Sequence, residues 1–180
     1  MALKPTIYKV QLQLADSDRS VYEDHNLTLA RHPSETEERL AARVLSFGLF
    51  AAPGLNFTKG LSTTDEPDLW QHSDSGEIEH WVELGQPEPA RLRKACGISR
   101  KVSVVAYGKS ADTWWNLNRE AMESLPHLQV LQLAWPEVQA AAALLTRNCS
   151  LSLSIAGGTL YLDTGNQPVT LEPLTLFATD

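Results

Sequence analysis

Residues 65–85, DEPDLWQHSDSGEIEHWVELG, decide how the chain is read. Asp74-Ser75-Gly76-Glu77 is a turn signal, with Asp where a turn begins and Gly where a positive φ costs little. If Ser75 and Gly76 are the two central residues, His72 faces Glu79, Trp70 faces Trp81 and Asp68 faces Glu83. A slip of one residue would set Trp70 against His80 and Asp68 against Val82, losing the aromatic pair and the ion-compatible pair together. The anomaly is Asp68 with Glu83. Acids near strand ends are usually solvated, but like charges directly opposite each other destabilise a sheet, so this pair invites a reason such as a divalent cation.

Pro67-Asp68, followed fifteen positions later by Glu83 at the end of an apolar strand, resembles the PD-(D/E)XK nuclease signature. Further motifs are more specific: TIYK at 6–9, RHPSETEER at 31–39, TDEPDLW at 64–70, WVELGQP at 81–87 and RLRKACG at 91–97. With these, nearly all 180 residues resemble the YaeQ family, whose members look like a compact variant of that nuclease fold. The resemblance implies a Mg²⁺- or Mn²⁺-dependent nuclease in which Asp68 and Glu83 hold the cation, helped by a Glu of the first helix, here Glu38. The chain departs from the motif at Gly85, where the pattern expects lysine. Gln86 or Lys94 could supply the missing group, and Lys94 is preferred because it brings a positive charge. A Lys94 amine within hydrogen-bond reach of the acids favours chemistry; one pointing to solvent favours the alternative, a non-catalytic nucleic-acid-binding or regulatory protein that keeps the fold. Asp65 and Glu66 are fallback ligands for a hairpin one step out of register, as Gln86 is for the lysine.

Composition bounds the rest. A chain of 180 residues is most economically one domain with a full core. The net charge of −7 argues against a protein that coats nucleic acid by bulk electrostatics, so any such contact needs a local basic patch. Arg91, Arg93, Lys94, Arg100 and Lys101 are candidates, with Arg91, Arg93 and Lys94 the phosphate binders if they are more than a solvated face. Cys96 and Cys149 match no metal-ligand spacing and suggest a reducing compartment without a disulfide framework. The longest apolar run, Ala140 to Leu145, is far short of the ~20 residues a membrane helix needs. A cytoplasmic protein with no membrane partner is expected, with a monomer favoured.

Along the chain, Thr6–Leu14 alternates as a half-buried strand and Ser20–Ala30 returns beside it. Ser34-Glu35-Thr36-Glu37 reads as a capping box opening a helix to about Phe50. Glu38 lies on a partly apolar face of that helix, with Ala41, Ala42 and Leu45 at three, four and seven residues on, while Arg39 and Arg43 share another flank. A strand over 56–61, the organising hairpin, a helix from 88–90 to a stop at Gly97 and a strand over 102–107 follow. Beyond these, a helix at 111–124 carries Trp114-Trp115, expected to be core or groove wall. Strand 128–133, helix 136–147, a hairpin about Gly157-Gly158 and a last strand 169–177 complete the chain. The fold class is α/β with a mixed sheet: one domain with an αβββαβ core, the order of the restriction-endonuclease-like superfamily, and hairpins at both termini.

Overall fold

Alternation along Thr6–Asp16 (β1) buries Tyr8, Val10, Leu12 and Leu14 on one face and leaves Lys9, Gln11 and Gln13 outside. Val21–Arg31 (β2) pairs with it antiparallel over its whole length. The computed structural model describes residues 3–59 and 65–180. After β2 come α1 (Glu37–Leu49), β3 (Leu55–Phe57), β4 (Leu69–His72), β5 (Ile78–Leu84), α2 (Pro89–Ile98) and β6 (Val102–Ala106). The chain continues through α3 (Ala111–Glu123), β7 (Leu128–Gln132), α4 (Trp135–Ala142), β8 (Asn148–Ala156), β9 (Thr159–Asp163), β10 (Val169–Leu171) and β11 (Leu174–Ala178). The end of the strand expected over 56–61 lies outside the described residues.

Both sheets are mixed. One has the order β10-β9-β8-β1-β2, with β1 and β8 parallel; the other runs β11-β7-β6-β5-β4-β3, with β5, β6 and β7 parallel. The larger apolar core joins the two sheets through α1 and α4: Val10, Leu12 and Leu153 of the first sheet, Leu40, Leu45 and Val138 of the helices, and Leu69, Val82 and Val105 of the second. Each fully buried Leu or Val contributes about 1.5–3 kcal/mol relative to exposure, so α1 is held by packing more than by propensity. A second core covers the opposite face of the six-stranded sheet, where Trp81, Val102 and Val104 meet Leu92 and Ala95 of α2 and Trp114, Trp115 and Met122 of α3. Trp114 and Trp115 are thus core residues.

Several local expectations are corrected. The hairpin turn has Asp74 and Ser75 at its centre: Gly76 N–H donates to Ser73 O (3.0 Å), Ser73 N–H donates to Glu77 O (2.9 Å), and Gly76 takes the left-handed φ of 86°. That moves the near pairing by one, and His72 faces Ile78 rather than Glu79. An irregularity between Gln71 and His72 restores the step, and Trp70 faces Trp81 as expected. The helix cap is Thr36, which accepts from Arg39 N–H (3.1 Å), while Ser34 turns back to His32; the box from Ser34 to Glu37 is not made. Gly97 does not stop α2, which runs to Ile98, and α4 ends at Ala142 well short of Arg147. The last strand is two, divided near Pro173, with β10 edging one sheet and β11 the other.

Between α1 and β3 the chain turns at Gly54, whose φ is 87° and where an added Cβ would lie 2.8 Å from His72 O. Because both the backbone angle and a backbone neighbour oppose a side chain there, Gly54→Ala should cost about 1–3 kcal/mol. Urea unfolding checks this, and an unchanged midpoint would contradict it.

Candidate active site

Asp68, just before β4, and Glu83, near the end of β5, lie where the parallel strands β5 and β6 end. Asp68 N–H donates to Val82 O (3.0 Å) and its Oδ2 accepts from Leu84 N–H (2.8 Å), so the carboxylate is pinned against the last turn of β5. Its Oδ1 accepts from Arg39 of α1. Arg39 also holds Glu35, and Glu35 in turn takes Arg43 at 3.2 Å, so Glu35, Arg39 and Arg43 run as an ion-paired ladder along α1 into Asp68. Glu35 and Arg43 are 4% and 3% exposed, which makes this a buried network and not a surface decoration.

Glu83 sits on the α2 side. Its Oε1 accepts from Trp81 Nε1 (2.9 Å) and from Arg91 Nε (2.6 Å), and Arg91 also donates to Glu66 O at 2.7 Å while lying over the Trp81 ring at 6.0 Å. Oε2 of Glu83 accepts no hydrogen bond among the described residues. Trp70 and Trp81 meet edge to face at 6.2 Å on the same strand pair, which fixes the indole that orients Glu83. Burial pushes the Asp68 carboxyl above its usual range, against the pull of Arg39 and the Leu84 amide. Burial raises Glu83 too, and the Asp68 charge adds to it, against Arg91 and the Trp81 indole. Two carboxyls raised by burial, one of them also by the charge of the other, mark this place as the candidate site.

Tyr107, at the end of β6, belongs to the same group. Burial lifts its phenol to about 12, opposed by Arg39 and reinforced by Asp68, Glu35 and Glu38. Glu38 therefore reaches the neighbourhood electrostatically. Among the described residues, however, no set of three or more Asp, Glu, His or Cys side chains forms a metal-ligating group, so Glu38 does not complete one with Asp68 and Glu83.

The sequence candidates for the missing lysine separate cleanly. Lys94 is exposed and makes no hydrogen bond or ion pair among the described residues, while Arg91, one turn earlier on α2, reaches Glu83. Gln86 is committed elsewhere: its Nε2 donates to Tyr107 O (3.1 Å) and its Oε1 accepts from Ser110 Oγ (3.1 Å). Asp65 is exposed, and Glu66 contributes its carbonyl to Arg91. The five basic residues do not form one strip. Arg91 turns inward, Arg93 and Lys94 face out, Arg100 pairs with Glu77, and Lys101 lines a cavity on the opposite face of the sheet. Beside the acids a groove of about 440 Å³ is lined by Asp65, Trp81, Arg91, Lys94 and Ile98. Glu35, Arg39, Arg43 and Tyr107 were not singled out as site residues, although the Glu35, Arg39, Arg43 spacing of four is visible in the chain.

A protein-family model described as YaeQ protein matches residues 1–173. The chain belongs to the YaeQ family. Among YaeQ relatives, "Uncharacterized protein YaeQ" of Escherichia coli (strain K12) is 38% identical over 174 residues, covering 95% of this chain and 96% of that one. The crystal structure of YaeQ protein from Xanthomonas axonopodis pv. citri superposes with a TM-score of 0.93 at 41% identity, covering 97% and 99% of the two chains. That of YaeQ protein from Pseudomonas syringae gives 0.92 at 32% identity, covering 97% of each. The arrangement of sheets and helices is thus that of solved YaeQ structures. No helix among the described residues is long and apolar enough to cross a membrane.

Proposed function

We propose that the Asp68–Glu83 site hydrolyses phosphodiesters with a divalent cation, in the manner of a PD-(D/E)XK nuclease. The observation that carries this is the convergence of two carboxylates at the ends of β4 and β5, both raised by desolvation and Glu83 also by the Asp68 charge, each facing an arginine. The element order α1-β3-β4-β5-α2-β6 supports it by likeness to the nuclease core. The donor set fits Mg²⁺ or Mn²⁺: hard carboxylate oxygens, with Glu83 Oε2 available, and two protein ligands suit an ion completed by water and substrate phosphate. Once bound, such an ion polarises the scissile phosphate and lowers the pKa of an attacking water. The chain's own residues supply the rest. Leu84 N–H and the Trp81 indole hold the two carboxylates in place. Arg91 and Arg39, which pair with these carboxylates, would carry the positive charge that a phosphodiester and its more negative transition state require. Arg91 takes the electrostatic role of the motif lysine.

A second reading, binding of a phosphodiester without turnover, is favoured by Gly85 and by the exposure of Lys94. One assay separates them. Purified protein is incubated with single- and double-stranded DNA and RNA in Mg²⁺, Mn²⁺ or EDTA. Cleavage that needs the metal and is lost in Asp68→Asn supports hydrolysis; binding without cleavage supports the second reading. Cleavage retained in EDTA and in the variant would mean a contaminant and remove the first.

A further inference from the structure

The inner face of the six-stranded sheet is covered by α1 only as far as Leu49. Beyond that point a cavity of about 550 Å³ opens between the two sheets, in the size range of small-molecule sites. Its floor includes His80 of β5 and Gln129 of β7, which the fully buried Ser103 of the intervening β6 links from beneath. Ser103 Oγ donates to Gln129 Oε1 at 3.3 Å and lies 2.8 Å from His80 Nε2. A hydroxyl that gives its proton to Gln129 accepts from His80, which places a proton on Nε2. Burial, with the nearby Lys101 charge, holds His80 down at about 4, so the ring is neutral near pH 7. Leu49, Phe50 and Ile155 give the wall an apolar part beside its polar and charged residues.

The charges of this cavity are unequally satisfied. Asp16 is bound by Arg19 at 2.7 Å, Asp18 accepts from the amides of Gly157 and Gly158 at 2.7 and 2.8 Å, and Glu79 pairs with Arg100 at 3.6 Å. Arg19 additionally closes the end of α1 through Ala51 O and Gly48 O, at 3.0 and 3.1 Å. Lys101 alone among these cavity charges has neither an ion-pair partner nor a hydrogen bond at its charged group among the described residues. Partial desolvation and the neighbouring Arg19 hold its ammonium below the usual range, the condition a bound anion relieves. The Gln129 side-chain amide also donates to no described residue.

We infer that this cavity binds a small organic anion, a carboxylate or phosphate monoester on an apolar body, with Lys101 as counter-ion and the Gln129 amide as donor. It is separate from the carboxylate pair: Glu83 lies on the opposite face of β5 from His80. The test uses phenyl phosphate, benzoate and the neutral benzyl alcohol, titrated into the full chain at low salt and followed by NMR chemical shifts. At least one anion should bind about tenfold or more tightly than the alcohol, moving the signals of His80, Phe50 and Gln129. The tighter anion identifies the head group. Lys101→Met, at an exposed position, should keep the fold and weaken that binding about tenfold, while Lys101→Arg should retain it. No binding at millimolar concentration, equal binding of the alcohol, or unchanged affinity in Lys101→Met would overturn the inference.

Discussion

Replacing Arg39 by alanine is expected to destabilise the protein by about 3–5 kcal/mol, the cost of removing one partner from a buried ion pair. At this chain length that corresponds to a fall of roughly 6–20 °C in melting temperature. Arg39 and Asp68 have side chains only 15% and 11% exposed, so solvent does little to screen the charge left behind. Glu35 keeps Arg43, but Asp68 would keep the Leu84 amide as its one hydrogen-bond donor among the described residues, with Arg43 and Arg91 acting only at longer range. The loss should depend on pH with a definite sign. The Asp68 carboxyl already lies above its unfolded value of 3.8, and removal of its first opposing charge raises it further. A group whose folded pKa is raised contributes stability below the unfolded value and loses it as pH climbs through the folded one. The gap between variant and wild type should therefore be widest near neutrality and narrow as pH falls toward 3.8. Urea unfolding at pH 7 and at about pH 4.5 checks both parts, and a variant within about 1 kcal/mol of wild type at pH 7 would remove the ladder from the account.

Arg91→Ala should act on rate instead of fold. Its side chain is 31% exposed, so loss of its pairing with Glu83 is partly screened and the effect on stability modest. If Arg91 stabilises the charge developing on a phosphoryl group, cleavage should fall about 10²–10³-fold, the cost of one preorganised donor. Arg91→Lys should recover part of the loss, since it restores the charge without the fork that meets carboxylate and phosphate. Lys94→Ala, altering an exposed side chain that contacts neither acid, should leave the rate within a few-fold of wild type. A larger loss in Lys94→Ala than in Arg91→Ala would return the lysine of the motif to that residue.

The contrast between Arg91 and Lys94 shows what the sequence could express. Strand content, the helix holding Arg39 and the pairing of Trp70 with Trp81 followed from local patterns, because alternation, spacing and aromatic pairing act over a few residues. The hairpin was read correctly at Trp70 although its turn was not, since the irregularity before His72 compensates for the shift that Gly76 introduces. The arginine ladder was half visible: Glu35, Arg39 and Arg43 recur every four residues, but that their free end meets Asp68 is decided by how α1 lies on the six-stranded sheet. Choosing between Arg91 and Lys94 required the rotation of α2 about its axis, and a ten-residue helix of weak amphipathicity leaves that open. The parallel pairing of β1 with β8, as at Gln11 and Ser150, joins segments 139 residues apart and has no local signature.

The central claim is that Asp68 and Glu83 hold one divalent cation, and a melting experiment with Mn²⁺ tests it without knowledge of the substrate. An ion that binds the folded protein stabilises it by RT ln(1 + [L]/Kd), about 2.7 kcal/mol at a hundredfold excess over Kd. For this chain length that is a rise of roughly 5–10 °C in wild type. Glu83→Gln keeps the shape and the bond from the Trp81 indole while removing one charge, so its metal-free melting temperature should lie near wild type and its Mn²⁺ response should largely vanish. An equal Mn²⁺ shift in wild type and Glu83→Gln, or none in either, would contradict the assignment of Asp68 and Glu83 as the metal centre.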